Sequence, residues 1–193
     1  MLDGDGQELS LKRCNIEPFG GPTPQQRRLT ERINALVDDR DWQGLVTMAQ
    51  EAHAVVCAVR GPCPQIAAQI LIKLGRAHQS LREFDQAIKV LSQAQSISAQ
   101  AGHRAGVAEA CSALASCFGV MGESTSAIAH SRKHREIAAV LGDLQGESRA
   151  CNNLGAAYFH LGKRVPARAW TERSVRYQSR RRWRNYIGRW RRW

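Results

Sequence analysis

Two histidines, His130 and His134, are separated by one helical turn, a spacing at which their imidazoles could share a metal ion. The basic residues beside them, in the run 132–135, would repel a cation, and the neighbouring sequence offers no obvious third ligand. Asp143 and Glu147 are also one turn apart, but the helix dipole alone favours acidic residues at the start of a helix. The sequence contains no phosphate-binding loop, nucleophile elbow or zinc-protease signature. We therefore predict no catalytic residue, no metal site and no cofactor.

The cysteines are a second group that could do chemistry, through metal binding or redox exchange. They form no Cys-x-x-Cys pair, and Cys111 and Cys151 occupy the same position of a repeat, on a side expected to face the core. We interpret the cysteines as small buried apolar residues of a reducing compartment, with metal or redox chemistry as the alternative. The six are Cys14, Cys57, Cys63, Cys111, Cys117 and Cys151.

The C-terminal segment 179–193 contains seven of the arginines behind a net charge of +11. On a helix, its aromatic residues fall at spacings of three and four and form one stripe among the arginines. Such a helix could cap the last repeat, or it could contact an anionic lipid surface, a nucleic acid or a calmodulin-like groove. An abnormal terminus is a further alternative. The residues predicted to make tail contacts are Arg181, Trp183, Arg184 and Trp190.

The length of 193 residues suits one compact domain or one short array. No apolar run approaches the ~20 residues that a membrane-spanning helix needs. The first residues have neither the basic nor the apolar region of a secretory signal. We therefore predict a cytoplasmic protein.

The elements that carry these residues repeat at an interval of 40 residues. Repeats of this length indicate helical hairpins, each of which buries its apolar face only against its neighbours. The sequence thus predicts a short solenoid whose function is to hold other proteins. The repeated positions are Leu74, Leu114 and Leu154; Gly75, Ala115 and Gly155; His78, Phe118 and Tyr158; Leu81, Met121 and Leu161; and Ala87, Ala127 and Ala167.

Turn residues and apolar periodicity divide the chain into four parts. We predict a disordered leader at 1–22, a degenerate N-terminal helical hairpin at 23–60, three regular hairpins within 65–178, and a basic tail at 179–193. The regular hairpins span about 65–101, 105–141 and 144–178. Their predicted helices are 65–81, 84–101, 105–121, 124–141, 144–161 and a last helix from about 165.

These repeated positions resemble the tetratricopeptide repeat. In that family Leu-Gly is followed three residues later by an aromatic residue in the first helix, and a small alanine stands early in the second. Leu154-Gly155, Tyr158 and Ala167 match this pattern. The resemblance implies an all-α fold, a right-handed α-solenoid of antiparallel helix hairpins, and a scaffold or adaptor that binds other proteins.

A narrower resemblance concerns the long 40-residue repeat. The segment 146–158 is similar to repeats of the Leu-Gly-Asn adaptor (LGN, or Pins) and of rapsyn. That subgroup acts as peptide-binding scaffolds in cell polarity, spindle orientation and receptor clustering. The resemblance covers roughly residues 65–175, although position 115 is alanine where the family prefers glycine.

The resemblance also implies that the first helix of each hairpin lines a concave groove for a peptide or helical segment. Asparagine could hold a peptide backbone and arginine a carboxylate, while the alternative interpretation is a solvated helix face. The competing function is a membrane-surface or nucleic-acid-binding protein that acts through the tail. The predicted groove residues are Gln69, Arg76, Gln79, Glu109, Ser112, Ser116, Arg149, Asn152 and Asn153.

Overall fold

The computed structural model describes residues 24–48 and 64–190, with side chains as far as Arg180 except at positions 25 and 26. In these ranges every regular element is a helix, and the helices of the three regular hairpins begin and end within one residue of their predicted bounds, except that the last one, predicted from about 165 in a hairpin ending at 178, continues to Trp190. The predicted leader 1–22 and residues 49–60 of the predicted N-terminal hairpin lie outside the described residues. The helices are α1 Pro24–Asp38, α2 Trp42–Thr47, α3 Pro64–Ser80, α4 Phe84–Gln100, α5 Arg104–Val120, α6 Ser124–Leu141, α7 Leu144–His160 and α8 Arg164–Trp190.

The helices form a right-handed solenoid of antiparallel hairpins, as the sequence predicts. The hairpins are α3–α4, α5–α6 and α7–α8, and each packs on the next through the contacts α4–α5 and α6–α7. The first helices also contact one another, α3 with α5 and α5 with α7. The first helices therefore lie next to one another along one side of the array.

The N-terminal helices α1 and α2 pack against α3, at the N-terminal end of the array. Leu29 and Ile33 of α1 and Leu45 of α2 are buried in one cluster with Ile70 of α3. Asp41 caps α2, accepting a hydrogen bond of 2.8 Å from the backbone N–H of Gly44. The division of the chain into domains stays a prediction.

The core follows the repeated positions. Leu74, Leu114 and Leu154 are 5%, 0% and 0% exposed, which confirms that they are packing positions. At Gly75 the two helices of the hairpin approach so closely that a Cβ atom would lie 2.5 Å from Cγ of Leu91. The small residue of the Leu-Gly pair therefore sets how closely the two helices of a hairpin pack.

The turn inside each hairpin needs one residue in the left-handed region. Gly122 and Gly162 have φ angles of 81° and 72° there, and Arg82 occupies the same repeat position with φ 62°. Glycine adopts this conformation without a steric penalty, whereas an L-residue with a Cβ atom is strained. The first regular hairpin is therefore strained at its turn.

Replacing Leu114 or Leu154 by alanine should lower the free energy of unfolding by ~2–5 kcal/mol, because each change leaves a cavity between packed helices. Urea denaturation measures the loss. Val140→Ala is the control, since Val140 is 68% exposed and its truncation should change stability by less than ~0.5 kcal/mol. Losses as small as the control at both leucines would contradict the assigned register.

Replacing Arg82 by glycine should stabilise the chain by roughly 0.5–1 kcal/mol, because the strain at the turn is relieved. The matched change in the opposite direction is Gly122→Ala, which should destabilise by about 1 kcal/mol. Thermal unfolding followed by circular dichroism gives both values. Equal stability of Arg82→Gly and the parent would show that the left-handed residue carries no strain.

Candidate functional site

The predicted groove residues all lie on the first helices α3, α5 and α7. Gln69, Arg76, Arg149 and Asn152 are exposed. The others are half-buried: Gln79, Glu109, Ser112, Ser116 and Asn153. Their spacings of three, four or seven residues on each helix, with Asn152 and Asn153 adjacent, are those of one helix face, so they form one polar stripe along the first helices.

Four of these residues pair with one another between α3 and α5. A guanidinium nitrogen of Arg76 lies 2.9 Å from a carboxylate oxygen of Glu109. One turn further, the amide nitrogen of Gln79 donates a hydrogen bond of 2.7 Å to the hydroxyl of Ser116. The Arg76–Glu109 pair is solvent-exposed, so its stabilising effect is small, but it occupies both charged groups.

The stripe has a different character between α5 and α7. Within the described residues, the side chains of Ser112, Asn152 and Asn153 make no hydrogen bond to the protein. Arg149 approaches Asp143 at 4.0 Å, while Asp143 caps α7 by accepting a 3.1 Å hydrogen bond from the backbone of Gln145. This half of the stripe therefore presents amides that remain available to a ligand.

A cleft of about 700 Å³ opens where α7 and α8 face away from the rest of the array. We call it the terminal cleft; Asn152 of the predicted groove lies in it rather than between two first helices. Sequence reasoning missed this site, although the signal was present: basic residues replace apolar ones at the repeat positions of α8. Its lining is Asn152, Gly155, Ala156, Phe159, His160, Arg164, Ala167, Arg168, Thr171 and Glu172.

The cysteines within the described residues are packing groups. Cys111, Cys117 and Cys151 are completely buried, as predicted for the repeated pair. Burial raises the pKa of each thiol, in Cys117 to about 11, so the neutral form is favoured. The described part of the chain holds no cluster of three or more potential metal ligands. Cys14, Cys57 and Cys63 lie outside the described residues.

His130 and His134, the pair spaced one helical turn apart, contact different groups. His130 stacks on Phe118 with the ring centroids 5.4 Å apart, and burial lowers its pKa. His134 is 1% exposed, and no partner within the described residues meets its Nδ1 atom. Burial is the main cause that lowers the pKa of His134 to about 4, and the charge of Arg149 adds to it, against an opposing effect of Asp143. His134 is therefore a neutral core residue at pH 7.

The predicted tail contacts fall on the last part of α8. Residues 181, 183, 184 and 190 belong to this helix, but their side chains lie outside the described part of the chain. Further back on α8, Trp170 holds the guanidinium groups of Arg135 and Arg173 at 5.2 and 5.6 Å from its ring. None of the described helices combines the length and apolar character needed to span a membrane.

The burial of His134 predicts a specific dependence of stability on pH. Its folded-state pKa of about 4 lies below the ordinary value of 6.5, so the unfolded chain binds more protons between these pH values. Stability should therefore fall as the pH drops from 6.5 to 4, by about 3 kcal/mol from this residue.

His134→Ala removes the titrating group, so this contribution to the pH dependence should disappear. Alanine should be tolerated at this position, because Ala94 occupies the same repeat position in the first regular hairpin. Urea denaturation at several pH values compares the slopes for the parent, His134→Ala and the exposed control His160→Ala. A His134→Ala slope equal to that of the parent would contradict the prediction.

Comparisons with known proteins agree with this architecture. The tetratricopeptide repeat family matches residues 68–100, which cover most of the hairpin α3–α4. The comparison with curated proteins gave no match. Among solved structures, the crystal structure of BtubC (BKLC) from P. vanneervenii is similar, with 18% identity and a TM-score of 0.56 over 82% of this chain and 87% of that chain. At this identity the likeness concerns the fold alone.

The narrower resemblance to the Leu-Gly-Asn adaptor and rapsyn stays a prediction, whereas the repeat type is confirmed. Tetratricopeptide repeats are generally protein-interaction modules and typically non-enzymatic, which is consistent with a scaffold. Residues 68–100 are a tetratricopeptide repeat, and the chain builds from it and its neighbouring hairpins an all-helical solenoid.

Proposed function

We propose that this chain is a non-enzymatic, cytoplasmic adaptor that binds an extended peptide or a helical segment of another protein along the polar stripe of its first helices. The observation that carries the proposal is the group of unpaired side chains between α5 and α7. Among the described residues, Ser112 of α5 and Asn153 of α7 have no hydrogen-bonding partner on these two contacting helices, while Asn152, which also has none, lines the terminal cleft.

The two halves of the stripe have different roles in this proposal. Between α3 and α5, the pair of Arg76 with Glu109 must open before either group meets a ligand. Between α5 and α7, the small side chain of Ser112 leaves room for a backbone, which the asparagine amides can meet as donors and acceptors. Arg149 adds an exposed guanidinium for a carboxylate. Ligand binding therefore centres on α5–α7.

The test uses ligands selected from a displayed library of unstructured peptides, with binding measured by fluorescence anisotropy. The variants are Arg149→Gln and Arg76→Gln, because glutamine adds no carboxylate beside Glu109 or Asp143. Arg149→Gln should weaken binding at least about tenfold, since a charge-assisted contact is worth ~1.5–3 kcal/mol. Arg76→Gln should have a smaller effect, because its guanidinium is already paired.

The matched control carries Lys89→Gln, an equal change of charge on the exposed side of α4. It should bind like the parent. The proposal is wrong if Arg149→Gln binds as tightly as the control. Loss of binding on truncation after Gln178, with Arg149→Gln unaffected, would assign recognition to the tail.

That outcome belongs to a second candidate function, which one observation favours. The hydroxyls of Ser148 and Ser174 lie 3.0 Å apart and set an antiparallel register in which α7 starts beside position 178. The helix α8 continues to Trp190, about three turns further. The arginine-rich end thus extends past its hairpin partner, in a position to contact an anionic lipid or nucleic-acid surface.

A further inference from the structure

The face formed by the two helices of a hairpin is a helix-binding face in this array. In the first two regular hairpins, this face is covered by the first helix of the next hairpin: α5 lies on α3–α4, and α7 lies on α5–α6. The cover is complete at Ile72 and Leu91, which are 1% and 0% exposed. On the last hairpin, no described residue covers the equivalent face, and the terminal cleft remains.

Two residues of the terminal cleft are charged where the first regular hairpin has apolar residues. Phe84 and Ile88 pack against the cluster that contains Ala113 and Cys117 of the covering helix α5. Eighty residues after each of them, the cleft has Arg164 and Arg168, whereas the middle hairpin has Ser124 and Ile128 at these positions. The floor of the cleft, formed by Gly155, Ala156 and Ala167, stays small and apolar. The rim of the cleft, at Arg164 and Arg168, is charged where the first regular hairpin is apolar.

The rim of the terminal cleft carries a surplus of positive charge. Arg168 is paired with Glu172 at 2.9 Å, whereas Arg164 has no ion pair within the described residues, and His160 stands nearby. Beside them Phe159 is 64% exposed, although large apolar side chains are usually covered. The cleft therefore combines an uncovered aromatic residue with an arginine, Arg164, that has no ion pair among the described residues.

We propose that the terminal cleft binds a helix of a partner protein that turns small residues toward the floor and carboxylates toward Arg164 and Arg168. The orientation follows from α5 on α3–α4, where Phe84 and Ile88 pack against the cluster that includes positions 113 and 117. A helix without acids at these positions would bury the guanidinium group of Arg164 without a partner, which is unfavourable. The partner helix therefore carries acidic residues at the positions where α5 has Ala113 and Cys117.

A second copy of this chain fits the cleft less well. Its first helices carry Ala113 and Cys117, or Asn153 and Ala157, at the positions that would face the arginines, and none of these is acidic. The arginine replacements thus oppose continuation of the array by its own hairpins and select a different helix. Asn152 is shared by the terminal cleft and the predicted groove, but Arg149 does not line the cleft and Arg164 and Arg168 are not groove residues, so failure of one proposal is distinguishable from failure of the other.

The test uses two helical peptides that copy residues 104–121, stapled on the side away from positions 113 and 117. One peptide carries Ala113→Glu and Cys117→Glu, and the other carries lysine at both positions. Fluorescence anisotropy with the full chain should show the glutamate peptide binding at least about tenfold more tightly than the lysine peptide. This preference should shrink at high salt, because both arginines are exposed.

The variant Arg164→Ala/Arg168→Ala should lose about tenfold or more of the affinity for the glutamate peptide. The matched control Arg176→Ala/Arg180→Ala makes the same change of charge on α8, outside the cleft, and should bind like the parent. Circular dichroism melts establish that both variants are folded.

Three results would each overturn the proposal. The first is equal binding of the two peptides or no binding of the glutamate peptide, and the second is an equal loss of affinity in the control variant. The third is self-association of the full chain in sedimentation equilibrium that Arg164→Ala/Arg168→Ala abolishes. That result would make a second copy the occupant of the cleft.

Discussion

The close approach of the two helices within each hairpin is the contact on which the rest of the structure depends. A Cβ atom at Gly75 would lie 2.5 Å from Leu91, and one at Gly155 would lie 2.7 Å from the hydroxyl of Thr171. Real side chains cannot pack at these distances, so a larger residue would separate the helices. Since each hairpin buries its apolar face only against its neighbours, a wider hairpin would also shift the next one. The Leu-Gly pair therefore sets the helix spacing of the first and last regular hairpins, whereas the middle hairpin accommodates the Cβ atom of Ala115 at this position.

The polar surface of the first helices is a consequence of this stacking. Successive first helices contact one another, so their exposed polar residues meet across the gap between them. Between α3 and α5 they satisfy each other, as Arg76 does with Glu109. Between α5 and α7 the smaller side chain of Ser112 leaves Asn152 and Asn153 without partners among the described residues. One repeated scaffold thus presents a paired surface and an open one, because packing restricts the surface positions less than the core positions.

The last hairpin keeps the packing inside it while changing what it offers to a further helix. Ala167 and Gly155 preserve the approach of α7 to α8, and Leu154 stays completely buried. Outside that contact, Thr171 replaces Leu91 and arginines replace the apolar residues that hold α5 in place. A repeat array needs a polar outer face at its ends to stay in solution. The exposed Phe159 departs from that requirement and distinguishes the terminal cleft from an ordinary solvated end.

The sequence by itself determined the helices, their bounds in the regular hairpins and the buried leucine positions, because each depends on spacing within one segment. Apolar residues at helical intervals must face the core, and turns need glycine at positions such as Gly122. Only the tertiary structure decided that His134 is buried and neutral, that Arg76 pairs with Glu109, and that a cleft remains beside α8. These features depend on the distance and rotation between helices that are far apart in the chain. A repeat pattern shows which side of a helix is covered, but not which side chain of the neighbouring helix meets it.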